Sequence, residues 1–574
     1  MKDQSVGELV QALRVMRVST PLGDSILLAE KANILEAVNE MFEIEISVRA
    51  KRDIRPEELI GKAVSLEIEV ESSEEGLDSA YRPFNGVVTE LHEGPAMSRG
   101  LRSYSVILRP QLWLLSQTRE SRIWMDMTTM DVLDTLMKEH GLPHADVVGI
   151  IHPVPAIHYS TQFNESDLDY LLRRIEQDGL FWFFRHEQGT HRLVVANHPM
   201  GWQKPLEGRS RVRIAAGSSD RSHIHEWTRR FAYVPGKRTG ADWNYKTFRA
   251  IPLDTTPSLV SLPGNDRREV FDWPAYSMTS QEIEQAQKLR MQASEADHER
   301  VSGSSDVRIL ESGRRFMPYD EANPDARHEE HVIVKAMHEV VNRSFETTSS
   351  LPEYRNSFEA IPARVPLTPH RTTHRPRIAG LQVAVVAGPE GEEIHCDANG
   401  CVKLWFPWQR HRAKKDGSDT KWIRTAQNWA GSGWGGQIIP RVGMEVMVAF
   451  IDGDPDRPLV VGAVPNPANR VPYDLPLNKT KSVFRTQTHK GNGFNEISFE
   501  DDLGHEEIFI HAQRDKLEMV SNRSFEIVGD SYDGIISGIR SMSSISLNPA
   551  LQKGMKSLLE RALEAPRERN KTRR

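Results

Sequence analysis

Cysteine is nearly absent from the sequence: Cys396 and Cys401 are the only two in 574 residues. Two thiols exclude a disulfide scaffold and suit a reducing cytosol. No run approaches the roughly 18 apolar residues of a membrane span. The opening segment Met1–Val18 lacks the continuous apolar stretch of a signal peptide, so any export is expected to use a route without one. A basic excess is absent, with 73 basic against 80 acidic residues, so the balance is slightly acidic and no global polyanion-binding field follows. Catalytic signatures are missing as well. There is no phosphate loop ending in Gly-Lys-Ser/Thr and no Gly-x-Ser-x-Gly elbow. Gly431-Ser-Gly-Trp-Gly-Gly436 neither follows a strand nor opens a helix. His328 and His331 stand three apart, where a helical zinc motif needs four. Cys396 and Cys401 lack a second pair of ligands at zinc-site spacing. The expectation is a protein that is not an enzyme, with no catalytic, cofactor-binding or metal residues.

What is there is mainly β with a few helices. Phe42–Val48 and Val64–Val70 alternate apolar and polar with period two, as half-buried strands do. Arg82–Val88 and Tyr104–Leu108 add two more, and an antiparallel sheet or barrel is expected over about 15–115. Helices are predicted over Thr129–His140 and Glu165–Asp178, each with Gly directly beyond. Leu180–Phe184 reads as a buried strand. A third helix is predicted from near Ser280, with Thr279 and Glu282 at capping-box spacing, to about Val301 before Gly303. His331–Val340 is strand-like, and Leu351–Pro376, rich in Pro, Thr and Arg, reads as a connector.

Leu381–Val464 forms a compact β module whose size and five or so strands suit a small oligonucleotide/oligosaccharide-binding (OB) barrel. Its last strands are Met444–Ile451 and Leu459–Val464. Between them lie Asp452, Gly453, Asp454, Pro455, Asp456, Arg457 and Pro458. Gly tolerates positive φ, Pro fixes φ, and Asp bonds local amides, so this is a hairpin turn. As a calcium loop it lacks Gly at the sixth position and an acid at the twelfth. Trp405, Trp408, Trp422, Trp429 and Trp434 accompany the basic run Arg410–Lys415. Aromatics among cations suit single-strand binding. Core and interface packing is the favoured reading, and no nucleic acid is expected.

Beyond Asn466 come short alternating strands, Glu496–Phe499 and Glu507–His511. In the second, Ile508 and Ile510 share one face and His505, Glu507, Phe509 and His511 the other. Val520, Val528 and Ile536 then fall eight apart. A repeat this short has no neighbour of its own to cover its apolar face, so stacked turns or several chains are needed. The end, 547–574, reads as a basic helix-like or disordered tail.

Several stretches, taken together and in order, resemble the VgrG family, the spike proteins of bacterial type VI secretion. They are Ser121-Arg-Ile123, Gln162–Tyr170 with Arg174–Gly179, Val270–Pro274, Trp429-Ala-Gly431, Ile439–Gly443, Gly453–Pro458 and Asn495–Ala512. The resemblance implies a phage tail-hub-like region over 1–375 with two barrel-like domains. An OB-fold neck over 376–467 and the start of a trimeric β-helix needle over 468–546 would follow. It also implies a homotrimer seated on a hexameric, Hcp-like tube protein and capped by a PAAR-type tip protein. An effector or adaptor would bind at the C-terminal tail. The chain would reside in the bacterial cytoplasm before firing and leave through the type VI apparatus. The alternatives are a phage or phage-like tail hub, or a glycan or nucleic-acid binder using the OB-type barrel. The repeat register ends after Ile536, short of a full needle.

Overall fold

A computed structural model describes residues 11, 14–71, 80–96, 100–206, 209–215, 222–251, 254–277, 279–323, 325, 327–342 and 353–525. The chain divides into two compact units, Met1–Val471 and Pro472–Arg574.

In the first unit, six strands run β1 (Met16–Ser19), β2 (Leu27–Ala37), β3 (Glu43–Ala50), β4 (Ala63–Glu71), β5 (Ala80–Ala96) and β6 (Arg102–Arg109). They lie side by side in the order β1, β4, β5, β6, β3, β2, each pair antiparallel. Ile44, Ile46 and Val48 of β3 point into the core while Glu43 and Glu45 face out, as the period-two pattern requires. β2 also pairs with His331–Val341, which opens a second group of six strands. Their order is His331–Val341, Arg315–Asp320, Arg211–Ile214, Ile224–Phe231, Glu299–Ser305 and Glu353–Pro362. The last pairs back with the first, closing a barrel. Its interior is filled by Val212, Ile224, Val301, Phe316, Ile333 and Phe358.

The two predicted helices cover the core of the first group. Thr129–Glu139 starts where Thr128 and Asp131 bond reciprocally as a capping box. Asp167–Gln177 starts at Ser166, whose hydroxyl accepts the Asp169 N–H. Both end in a Schellman motif. Leu142 N–H donates to the Met137 carbonyl and Leu180 N–H to that of Ile175. The glycines between, Gly141 and Gly179, hold the required φ of 65° and 67°.

Two expectations need correction. The third helix spans Ser280–Ala296 and does not continue to Val301, because Glu299–Ser305 is a strand paired on both sides. Gly303 is therefore not a helix stop. It lies mid-strand, where an added Cβ would stand 2.5 Å from the Glu226 carbonyl oxygen and 2.6 Å from the Phe358 ring. The connector read at Leu351–Pro376 contains Glu353–Pro362, the strand that closes the second barrel.

The OB-type module follows in the same unit. Lys403–Trp405, Gln382–Ala387, Glu445–Phe450 and Pro458–Ala463 form a four-stranded antiparallel sheet. Its core includes Val386, Leu404, Phe406, Val446, Val448 and Val460. At Glu393–Cys396 and Trp422–Thr425 the pairing is limited to isolated bridges, Cys396 to Val402, Val402 to Ile423 and Thr425 to Val460.

In the second unit, Lys481–Arg485, Glu496–Glu500 and Glu507–His511 form an antiparallel three-stranded sheet. Val520 lies outside any strand and is exposed. Val528, Ile536 and the tail lie outside the described residues.

Candidate functional site

The turn at Asp452–Pro458 is the hairpin turn that its residues predict. Asp452 and Gly453 take left-handed φ values of 57° and 71°. Asp454 accepts the Asp456 N–H at 3.0 Å, an acid bonding a local amide. The acids do more than shape the turn. Asp454 is almost fully buried, and its Oδ1 takes a 3.0 Å bond from Nη2 of Arg375, whose same nitrogen reaches Asp456 Oδ2 at 2.7 Å. Burial and the Asp456 charge push the Asp454 carboxyl up, and Arg375 only partly reverses this. Asp456 Oδ1 also accepts the Thr161 N–H at 2.5 Å. Lys421 donates to the Asp456 carbonyl at 2.5 Å, and burial pushes its ammonium down to about 8.

Arg457 makes the reverse crossing. It pairs with Asp242, a fully buried carboxylate of the hub region that also accepts the Ser277 and Trp243 N–H groups. Tyr276 lies under both guanidinium groups, 4.6 Å from Arg375 and 5.3 Å from Arg457. The turn is thus an ionic latch between the OB-type module and the residues before it. Asp454, Asp456 and Arg457 form it with Arg375, Asp242, Thr161, Tyr276 and Lys421. Gly453 contributes a carbonyl that accepts the Ile378 N–H at 2.8 Å. Pro455 contributes one accepting the Thr161 hydroxyl at 3.3 Å. Pro458 starts the return strand, and Asp452 is half-exposed at the turn. Sequence reading missed the partners. The available signal was three acids in one turn, which bury only beside cations.

The motifs Ser121-Arg-Ile123 and Gln162–Tyr170 meet on one strand pair, Arg119–Met127 with Ile157–Ser166. Gln162 accepts from Arg122 and Trp124 and donates to Asp167 at 2.7 Å. Glu165 and Arg173 form a buried pair at 2.6 Å. Ile123 and Phe163 pack against the core of the OB-type module, with Phe163 edge-on to Trp408 at 5.7 Å. Trp405, Trp408 and Trp422 are half-buried, whereas Trp429 and Trp434 are exposed and touch each other at 4.9 Å. Within the basic run, Arg410 pairs with Glu120, and Lys415 lies 4.2 Å from the Trp405 ring.

A second feature belongs to the C-terminal unit. Register places Phe484, Ile497 and Ile510 across from one another, with Phe499 opposite Ile508 on the same face. These five side chains are 46–68% exposed. On the opposite face, buried Glu496 accepts from Tyr473 at 2.6 Å and Ser498 at 2.9 Å. Burial opposes its charge, but those hydroxyls and Arg485 hold it below the usual range. Among the described residues, one face buries Glu496 and Ser498 while the other exposes its five apolar side chains.

Family models match in the same order as these pieces. The phage tail baseplate hub (GPD) model matches residues 35–344. The type VI secretion system/phage-baseplate injector OB domain matches 395–464, and the bacteriophage T4 gp5 C-terminal trimerisation domain matches 482–542. The type VI secretion system spike protein VgrG1a of Pseudomonas aeruginosa is 32% identical over 533 residues, covering 91% of this chain and 80% of that one. The chain belongs to the VgrG spike-protein family. The VgrG hub fold extends to distant structures. One is the E. coli c3393 protein, titled a type VI component similar to T4 tail proteins gp27 and gp5. It matches at 18% identity and TM-score 0.53, over 78% of this chain and all of that one. Another is the half-lidded Francisella PdpA–VgrG complex, at 8% identity and TM-score 0.55, over 86% and 87%. As a VgrG, the chain is a spike and hub protein of the type VI secretion system. The latch holds its OB domain to its hub together with the Ile123, Phe163 and Arg410–Glu120 contacts.

Proposed function

We propose that three copies of this chain form a non-enzymatic spike that works by shape and interlocking. The bare apolar face of Phe484, Ile497, Phe499, Ile508 and Ile510 carries this reading. A sheet with five large exposed apolar residues on one side is stable in water only when that side is covered. Its span overlaps the match to a trimerisation domain. Three sheets facing one axis cover one another. Two groups of six hub strands per chain give such a trimer six six-stranded units, which suits a hexameric, Hcp-like tube ring below. A PAAR-type cap at the tip and a carried effector complete the assembly, and the PdpA–VgrG complex supports the cargo role. The trimer assembles in the cytoplasm and is driven through the target envelope by sheath contraction, with no reaction of its own. Light scattering of the purified chain is expected to give three times the chain mass. A clean monomer at micromolar concentration would refute the reading.

A further inference from the structure

The hub holds a cavity of about 310 Å³ walled by Glu176, Arg238, Asp272, Arg290 and Arg371 among others. This is the lower end of the range for small-molecule pockets. Its residues come from the helices Asp167–Gln177 and Ser280–Ala296, the strands Lys237–Gly240 and Glu269–Asp272, and the segment after Pro362. Among the described residues, no carboxylate lies within ion-pairing distance of Arg371, unlike Arg238 and Arg290. One oxygen of Asp272 serves two guanidinium groups, Arg290 at 2.5 Å and Arg238 at 3.3 Å. The Glu176 carboxylate is occupied by the Thr372 and Thr373 hydroxyls and the Thr373 N–H. Arg371 donates from Nη2 to a neutral partner, the Gln177 carbonyl, at 3.1 Å. Asp178, whose charge reaches Arg371, is itself pushed up by burial and bonded by Thr129. The Nε atoms of Arg371 and Arg238 are both buried and find no hydrogen-bond partner among the described residues. A buried donor left unmet is costly, and more so when it is charged. Burial and the neighbouring Arg290 push Arg371 down to about 9.

Several guanidinium forks converging on a polar cavity match the oxygens of phosphate and carboxylate groups. We propose that this cavity is an oxyanion site for a small phosphate-bearing ligand, held by Arg371, Arg238 and Arg290. The ligand places a negative charge beside Arg371, whose own hydrogen bond goes to a neutral carbonyl. A small carboxylate shares this chemistry, so the experiment has two arms. The full-length protein is titrated calorimetrically with inorganic phosphate and with succinate, in chloride at fixed ionic strength. Saturable phosphate binding at one site per chain is expected, accompanied by a rise in Tm. Arg371→Gln is expected to weaken it at least tenfold. Arg371→Met removes the unpaired charge, so it is expected to unfold no earlier than wild type in chloride and to gain nothing from phosphate. Binding of succinate in place of phosphate supports the oxyanion site with a carboxylate ligand. Neither anion binding above chloride, or Arg371→Met responding to phosphate as wild type does, overturns the proposal.

Discussion

Arg375 stands at the centre of the latch because it is the cation placed against two acids in a setting where Asp454 has lost its water. Without Arg375, Asp454 keeps only the longer 3.7 Å approach of Arg457, and breaking a buried pair costs about 3–5 kcal/mol. Arg375→Met is therefore expected to lower denaturant stability by about 3 kcal/mol at pH 7. The Asp454 carboxyl is already raised above its unfolded value, so its proton is held more tightly in the fold. Its contribution is intact at low pH and is lost as pH rises through the raised value. The variant's deficit is thus expected to narrow in acid. An unchanged urea midpoint at pH 7 would mean the latch carries no stability. Glu36 is the opposite case. It accepts from Arg82 at 2.5 Å and from His338 at 2.9 Å, and the other nitrogen of His338 lies 2.7 Å from the Tyr354 hydroxyl. Burial opposes the charge, yet Arg82 and His338 outweigh it and hold Glu36 down to about 2. Relative to an ordinary carboxyl this is worth of order 3 kcal/mol, present above about pH 4.5 and lost as pH falls toward 2. Burial pushes His186 down to about 3, which removes stability in the same direction as the unfolded imidazole protonates below about 6.5. Urea titrations of wild type and Glu36→Gln are expected to show a gap at pH 7 that closes below about pH 4.5. A gap independent of pH would assign the group no ionic role.

At the scale of elements, the strands and helices whose faces alternate cleanly were legible. The connector and the end of the third helix were not. Ser280–Ala296 stops where Asp297 and His298 turn the chain, and the next residues are recruited by two neighbouring strands. Nothing local in Glu299–Ser305 announces that pairing, because only strands distant in sequence supply it. Gly303 records it in a different way, through the Glu226 backbone and the Phe358 ring that crowd its Cα. Gly303→Ala is expected to cost about 1–3 kcal/mol by forcing those groups apart. Thermal unfolding at the wild-type Tm would show that the strands simply shift to admit a methyl group.

At the scale of the whole molecule, the C-terminal sheet exposes five large apolar side chains on one face. Phe499 and Ile508 lie directly opposite each other on its bare side. Phe499→Asp with Ile508→Asp is expected to reduce the trimer to monomers by light scattering while the hub keeps its circular dichroism. A trimer of unchanged mass would place the assembly contacts elsewhere.

Alternation, turn residues and caps determined the strands, the two Schellman-ended helices and the hairpin at Asp452–Pro458, because these depend on neighbours a few residues apart. The split of faces in Glu507–His511 followed from period two alone. Only the tertiary structure decided what the acids and Arg457 of the turn meet, since Arg375 and Thr161 lie 81 and 295 residues from Asp456 and Asp242 lies 215 from Arg457. The same holds for the arginines around the hub cavity. A sequence shows that a charge exists, but whether it is solvated, paired or left short of a partner depends on which distant elements the fold brings against it.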